Sequence, residues 1–211
     1  MAQLQPLDRR RWIGLCNRLG AQGDGLSVLT VLEAAYAEPA RAYHNADHIR
    51  DCLVQFDLCP QIATRPDEVE AAIWFHDAVY QPGASDNEDM SARLARTSLE
   101  SAGASLEVAH RIAELVLATQ HLSIPKDQDA SLLCDVDLSI LGRAPDAFDH
   151  FERRIRQEYA WVPEPAYRSG RTKILRGFLE WPSIFQTDFF RERYEASARA
   201  NLARAVKDLG G

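Results

Sequence analysis

The chain has 211 residues, 46% of them hydrophobic and 26% charged, a balance that suits one soluble globular domain (1–211) with a sizeable core. A net charge of −7 gives no general field for nucleic acid or anionic lipid, so an anionic ligand would have to be drawn by a local cation such as a bound metal. The opening MAQLQPLDRRRWIGLC lacks a signal-peptide core and no stretch approaches the ~18 apolar residues of a membrane span, so a cytoplasmic protein without membrane or nucleic-acid partners is expected.

Helical periodicity runs through the sequence and no alternating strand pattern competes with it, which predicts an all-α fold. A first helix is expected over about 7–19, with Trp12, Leu15 and Leu19 inward, before the Gly20–Gly25 break. A second, over 26–36, carries Val28, Leu29, Leu32 and Tyr36 and stops before Pro39. The third starts near Asn45, a good cap residue, and runs to about Leu58 with Ile49, Leu53 and Phe56 inward. The fourth, about 66–80, opens with Pro66 and the acidic Asp67, Glu68 and Glu70, then turns apolar around Ile73, Trp74 and Phe75. After a turn at Pro82 and Gly83, Ser85-x-x-Glu88 reads as a capping box for a helix over 87–102. Further helices follow over about 105–121, 130–141, 145–161, 167–180 and 188–208, joined by short turns. The metal-site helices would lie within 43–141 and the additional C-terminal helices within 145–208.

Cys16, Cys52, Cys59 and Cys134 form no C-x-x-C pair, so they are expected as buried thiols and not as a structural zinc or disulfide framework. The chemistry gathers elsewhere, in Tyr43-His44-Asn45-x-x-His48 and in the pair His76-Asp77. A lone histidine on a helix usually packs or faces solvent. Two imidazoles and a carboxylate on successive antiparallel helices suit a divalent metal better than a core, where an unpaired charge costs several kcal/mol. The missing ligand should be a carboxylate among apolar neighbours on a later helix, and Asp135 and Asp137 both answer that description.

These residues resemble the H…HD…D signature of the HD superfamily of metal-dependent phosphohydrolases over most of the chain. Tyr43-His44-Asn45-Ala46-Asp47-His48 is also similar to the Tyr-His-Asn-x-x-His motif of cyclic nucleotide phosphodiesterases, and Val136-Asp137-Leu138-Ser139 to their Ala-Asp-Leu-Ser. The resemblance implies His48, His76, Asp77 and Asp137 as metal ligands, selects Asp137 over Asp135, and implies His44 as the proton donor. Trp74-Phe75-His76-Asp77, Asn87-Glu88, Gln157-Glu158-Tyr159 and Ala198-x-x-Asn201-Leu202 resemble more closely a group of small bacterial predicted HD phosphohydrolases, for which only a reaction class is implied.

An N2O2 donor set balances a divalent cation (Mn, Fe, Co, Ni, Zn or Mg), which acidifies water and polarises a phosphoryl oxygen. The expected function is therefore hydrolysis of a small phosphoester or phosphoanhydride, nucleotides included. His44, if it only flanks a helix capped by Asn45, could instead bond to backbone. HD nucleotidases place a Glu three residues after the motif Asp, and that position here is Tyr80. Glu88 is the candidate to orient water, against a plain capping role. His121 could hold a second metal, contact phosphate, or favour a helix C-terminus. His110 and His121 would lie roughly 16 Å apart along one helix and cannot share an ion; His110 and His150 read as surface. Arg171, after a turn at Gly170, is preferred over Lys173 and Arg156 as a phosphate partner. Tyr159, Trp161, Tyr167, Trp181 and Phe185 have spacings that suit packing of the last helices. The rival readings are a non-catalytic nucleotide- or metal-sensing module, and an HD-fold hydratase or di-iron oxygenase.

Overall fold

A computed structural model describes residues 7–23 and 25–210, and every regular element among them is helical. In order these are α1 (Arg9–Arg18), α2 (Leu26–Tyr36), α3 (Ala46–Phe56), α4 (Pro66–Phe75), α5 (Asn87–Ser101), α6 (Leu106–Ala118), α7 (Gln128–Leu138), α8 (Pro145–Glu158), α9 (Glu164–Glu180) and α10 (Asp188–Asp208), with 3-10 turns at Pro60–Ile62 and Ser139–Gly142. The all-α expectation is met. Among the described residues no helix is long and apolar enough to cross a membrane.

The bundle is built around α4. Every residue from Glu68 to Phe75 is buried, the pattern of a helix wrapped on all sides, and α1, α3, α5, α6 and α7 all pack against it. Its acidic first turn does more than favour the helix dipole. Glu68 takes a bidentate pair from Arg111 of α6, and Glu70 takes Arg11 and Arg18 of α1, so both buried carboxylates are neutralised by neighbouring helices. Asp129 of α7 accepts the amides of Thr64 and Arg65 at 2.6 and 3.0 Å and so closes the entry to α4 from across the bundle.

The exit from α4 sets the site. The helix ends at Phe75, five residues before its expected end, and His76, Asp77 and Ala78 follow in a buried turn. Tyr36 donates its hydroxyl to the Trp74 carbonyl at 2.9 Å, and the buried Arg41 donates to the carbonyls of Asp77 and Ala78. These bonds satisfy the carbonyls freed at a helix end and fix the direction in which His76 and Asp77 leave it. On the far side, Gly142 follows α7 so closely against α10 that a Cβ there would stand 2.4 Å from the Tyr194 Cβ.

Several local expectations need correction. The Ser85-x-x-Glu88 capping box is not formed: the N-cap of α5 is Asp86, whose side chain makes no capping hydrogen bond. Gly170 is not a turn but lies inside α9, which begins at Glu164. The helix expected to reach residue 121 ends at Ala118. Trp161 is 67% exposed, so it does not join the packing of the last helices, whereas Phe185 is fully buried. The four cysteines are buried and form no disulfide, and His110 and His150 are exposed, as expected.

Candidate metal centre

His48 stands one turn into α3, whose first turn is fixed by Asn45: the Asn45 side chain accepts the Asp47 amide at 2.9 Å and donates to the carbonyls of Arg41 and Ala42. From there the His48 Nε2 reaches the Nε2 of His76 at 3.0 Å. The His76 Nδ1 lies 2.9 Å from the Ile73 carbonyl, which makes Nδ1 the protonated nitrogen and turns the Nε2 lone pair inward. Asp77 Oδ2 lies 3.3 and 3.1 Å from the same two nitrogens, and Asp137 Oδ1, brought by the last turn of α7, lies 3.2 and 3.6 Å from them. Four side chains from α3, the end of α4 and α7 thus converge on one point.

Burial works against charge at this point, yet His76 and His44 hold the Asp77 carboxyl, and His121, His48 and His76 the Asp137 carboxyl, well below the usual carboxylate range. Both carboxylates are therefore anionic, and the two imidazoles they face are raised well above the ordinary range although burial opposes it, so the positive charge at this point is carried by protons on His48 and His76 or by a cation that replaces them. Asp77 Oδ2 is buried, and no side chain or backbone group donates a hydrogen bond to it. An acceptor buried without a donor, facing two imidazole nitrogens, is what a cation site presents when protein atoms alone are considered.

Cys52 enlarges the donor set. The ligand atoms of His48, Cys52, His76 and Asp137 lie within 4.8 Å of one another, so this group could hold a metal ion. The Cys52 Sγ is 3.7 and 3.8 Å from the two nitrogens of His48, almost equidistant, which puts it beside the ring and not in front of the Nε2 lone pair. Asp77 Oδ2, close to both Nε2 atoms, is the better-placed fourth donor. Cys52 was hidden in the sequence by its resemblance to any other buried thiol; its place one turn after His48 was the available signal.

The choice between the two aspartates on α7 follows from their partners. Asp135 accepts the amides of Gln186 and Thr187, both at 2.7 Å, and the Thr187 hydroxyl at 2.6 Å, so it closes the approach to α10 and takes no part in the cluster. Burial pushes its carboxyl up to about 6, with these bonds opposing the shift.

His44 sits beside the centre and is held on three sides. Its Nδ1 lies 2.7 Å from Glu158 Oε2, its ring stacks on Tyr80 at 4.0 Å between centroids, and its own amide donates to Glu158 Oε1. Glu158 also accepts the Tyr43 amide and the Tyr80 hydroxyl. The ring is thus pinned through Nδ1 by a carboxylate and not by backbone, which leaves Nε2 as the nitrogen available to a ligand. Tyr80, in place of the Glu of the nucleotidase pattern, belongs to this support.

His121 lies beyond the end of α6 with φ +52, a left-handed backbone rare outside glycine. Its Nε2 stands 2.8 Å from Asp137 Oδ2, so it holds the Asp137 carboxylate by the oxygen that does not face His48. Burial opposes its charge, but the bond to Asp137 raises it to about 10. Its expected place at a helix C-terminus is overturned, because α6 stops three residues earlier. Glu88, half-buried on the first turn of α5, faces the same cavity; burial lifts its carboxyl above the ordinary range, and Asp77 and Asp137 add to the rise. Arg171 also lines the cavity, but its guanidinium is paired with Glu152 and lies over the Phe151 ring at 5.4 Å. Arg156 is engaged with Glu164 and two backbone carbonyls; Lys173 is exposed on the cavity wall and makes no ion pair among the described residues.

The cavity measures about 820 Å³ and runs from the metal end, at His44, Glu88, His121 and Asp137, to the inner face of α9. That volume suits a small organic molecule. No family model, curated protein or solved structure matches the chain.

Proposed function

We propose that this protein is a divalent-metal-dependent hydrolase of small phosphoesters or phosphoanhydrides, of the HD type that its His48, His76-Asp77 and Asp137 pattern resembles. The observation that carries the reading is the unpartnered, buried Oδ2 of Asp77 among two imidazole Nε2 atoms and a second carboxylate. Such a donor set fits a divalent cation of mixed nitrogen and oxygen preference. When bound, the cation supplies Lewis-acid polarisation of a phosphoryl oxygen and acidifies a water.

The chain's own residues account for the remaining needs. His44, held by Glu158 and Tyr80, is placed to pass a proton from its Nε2 to the leaving oxygen. Glu88, which lines the cavity and whose carboxyl burial raises above the ordinary range, is the group that orients the attacking water. His121 fixes the Asp137 carboxylate, and with Nε2 so engaged it positions a ligand instead of adding one. A sensing module would need the metal donors but not the His44–Glu158–Tyr80 arrangement, and this favours turnover.

The test is metal analysis of protein purified without chelator, with hydrolysis of a phosphoester panel in manganese, cobalt or nickel. Asp77→Ala is expected to lose both metal and turnover, and His44→Ala to keep the metal and lose about 10²–10⁴-fold in rate. Metal-free wild-type protein that stays inactive in all three metals would sink the proposal.

A further inference from the structure

The wall of the cavity opposite the metal end is one face of α9, where Ala166, Gly170, Lys173, Gly177 and Trp181 recur at helical spacing. Two glycines inside a helix are unfavourable compared with alanine. Neither is demanded by packing, since a Cβ built on Gly170 or Gly177 meets no heavy atom within 4 Å. What they do is leave the cavity wide along α9. Of the polar side chains that could read a nucleobase edge there, the two amides and the guanidinium are already bonded within the chain. Asn87 both donates to and accepts from the Gln81 backbone, Gln120 donates to Asp89, and Arg171 is held by Glu152. The surfaces left are Ile174, Phe178 and Trp181, with Tyr159, Tyr167 and the Lys173 ammonium at the side. A pocket that distinguishes bases needs unengaged donors and acceptors; a pocket for an apolar body needs room and apolar walls.

We propose, resting on the phosphohydrolase reading, that the Gly170–Gly177 face of α9 seats the organic part of the substrate, and that this part is a bulky apolar or aromatic alcohol esterified to phosphate, not a nucleoside read through its base. Gly170 and Gly177 are then the specificity-determining positions.

The experiment compares 1-naphthyl phosphate, ribose 5-phosphate and AMP with wild-type protein, Gly170→Leu and Gly177→Leu, each loaded with manganese. Wild type is expected to show kcat/KM for 1-naphthyl phosphate at least about tenfold above the other two, and either leucine is expected to shrink that preference at least about tenfold by filling the cavity. In parallel, calorimetric titration with (1-naphthylmethyl)phosphonate, in which a P–C bond replaces the ester P–O bond so that it cannot be hydrolysed, reads the seat without turnover: saturable binding by wild type, weakened at least about tenfold in the leucine variants. Should no phosphoester be hydrolysed while that binding pattern holds, the hydrolase reading fails and the apolar seat stands. A preference for AMP or ribose 5-phosphate, or leucine variants that bind and discriminate like wild type, overturns the seat whatever the hydrolase result. If both leucine variants fail to give the wild-type circular dichroism spectrum, Gly177→Ala replaces them, with a loss of preference of about threefold expected and an unchanged preference overturning the assignment.

Discussion

Glu158 offers the sharpest test of how the site is held. It is 4% exposed, and its two oxygens meet the amides of Tyr43 and His44 at 2.7 and 3.0 Å, the His44 ring at 2.7 Å and the Tyr80 hydroxyl at 2.9 Å. Glu158→Ala strands two backbone donors that have no other partner, at about 1–3 kcal/mol each, while the ring and the hydroxyl border the cavity and can turn to water. The expected loss is about 2–6 kcal/mol, or a fall in Tm of ~10 °C for a chain of this size. Glu158→Gln keeps an acceptor for the amides and should lose only about 1–2 kcal/mol. Burial opposes the charge on Glu158, but His44 and the two amides hold its carboxyl below the ordinary range. A depressed folded value stabilises fully above the unfolded value, near ~4.3, and the benefit disappears as pH falls through the folded one. The gap in Tm between wild type and Glu158→Gln should accordingly be widest at neutral pH and narrow in acid. Thermal unfolding followed by circular dichroism at both ends of that range measures it. An alanine variant that melts within a degree or two of wild type would refute the accounting of the stranded amides.

Three further perturbations separate positioning from ligation and fold. His121→Ala is expected to weaken metal binding about 10–100-fold by freeing the Asp137 carboxylate, whereas His121→Asn, which tolerates the left-handed backbone, retains the loop conformation; unchanged affinity in titration calorimetry of the alanine variant would remove His121 from the site. Asp135→Ala should lower stability by about 2–4 kcal/mol in urea unfolding because the Gln186 and Thr187 amides lose their acceptor, yet leave metal content intact; metal loss would make it a ligand after all. Gly142→Ala drives a methyl to 2.4 Å from the Tyr194 Cβ and 2.8 Å from its carbonyl oxygen, so a loss of at least about 2 kcal/mol is expected, and a stable variant would show that the turn before α8 yields easily.

The helices were legible because their signals are local. Apolar spacing put Trp12, Leu32, Ile49 and Phe56 inward, and all four are buried. The misplaced ends share a cause: α4 was carried to residue 80 because its composition stays apolar past Phe75, and what stops it is tertiary, the Arg41 guanidinium taking the carbonyls beyond. Gly170 read as a break because glycine disfavours helices, but the helix on either side overrides it. The failed capping box at Ser85 shows the opposite limit, a correct local motif that the loop geometry does not use.

The candidate metal-site residues were legible for a different reason. Histidine and aspartate among apolar residues are improbable unless they share a partner, and His48, His76, Asp77 and Asp137 indeed meet. That argument cannot rank the acids of α7, since Asp129 and Asp135 are buried as deeply as any ligand. Their burial is satisfied by backbone amides at the entries to α4 and α10, and only coordinates reveal that. Glu158 is part of the Gln157-Glu158-Tyr159 resemblance but received no role, because it closes a helix rich in charge, where a carboxylate reads as solvated surface. One helix, α7, therefore uses chemically identical side chains for two different ends. Asp129 and Asp135 complete helix entries; Asp137 instead faces the imidazoles of His48, His76 and His121.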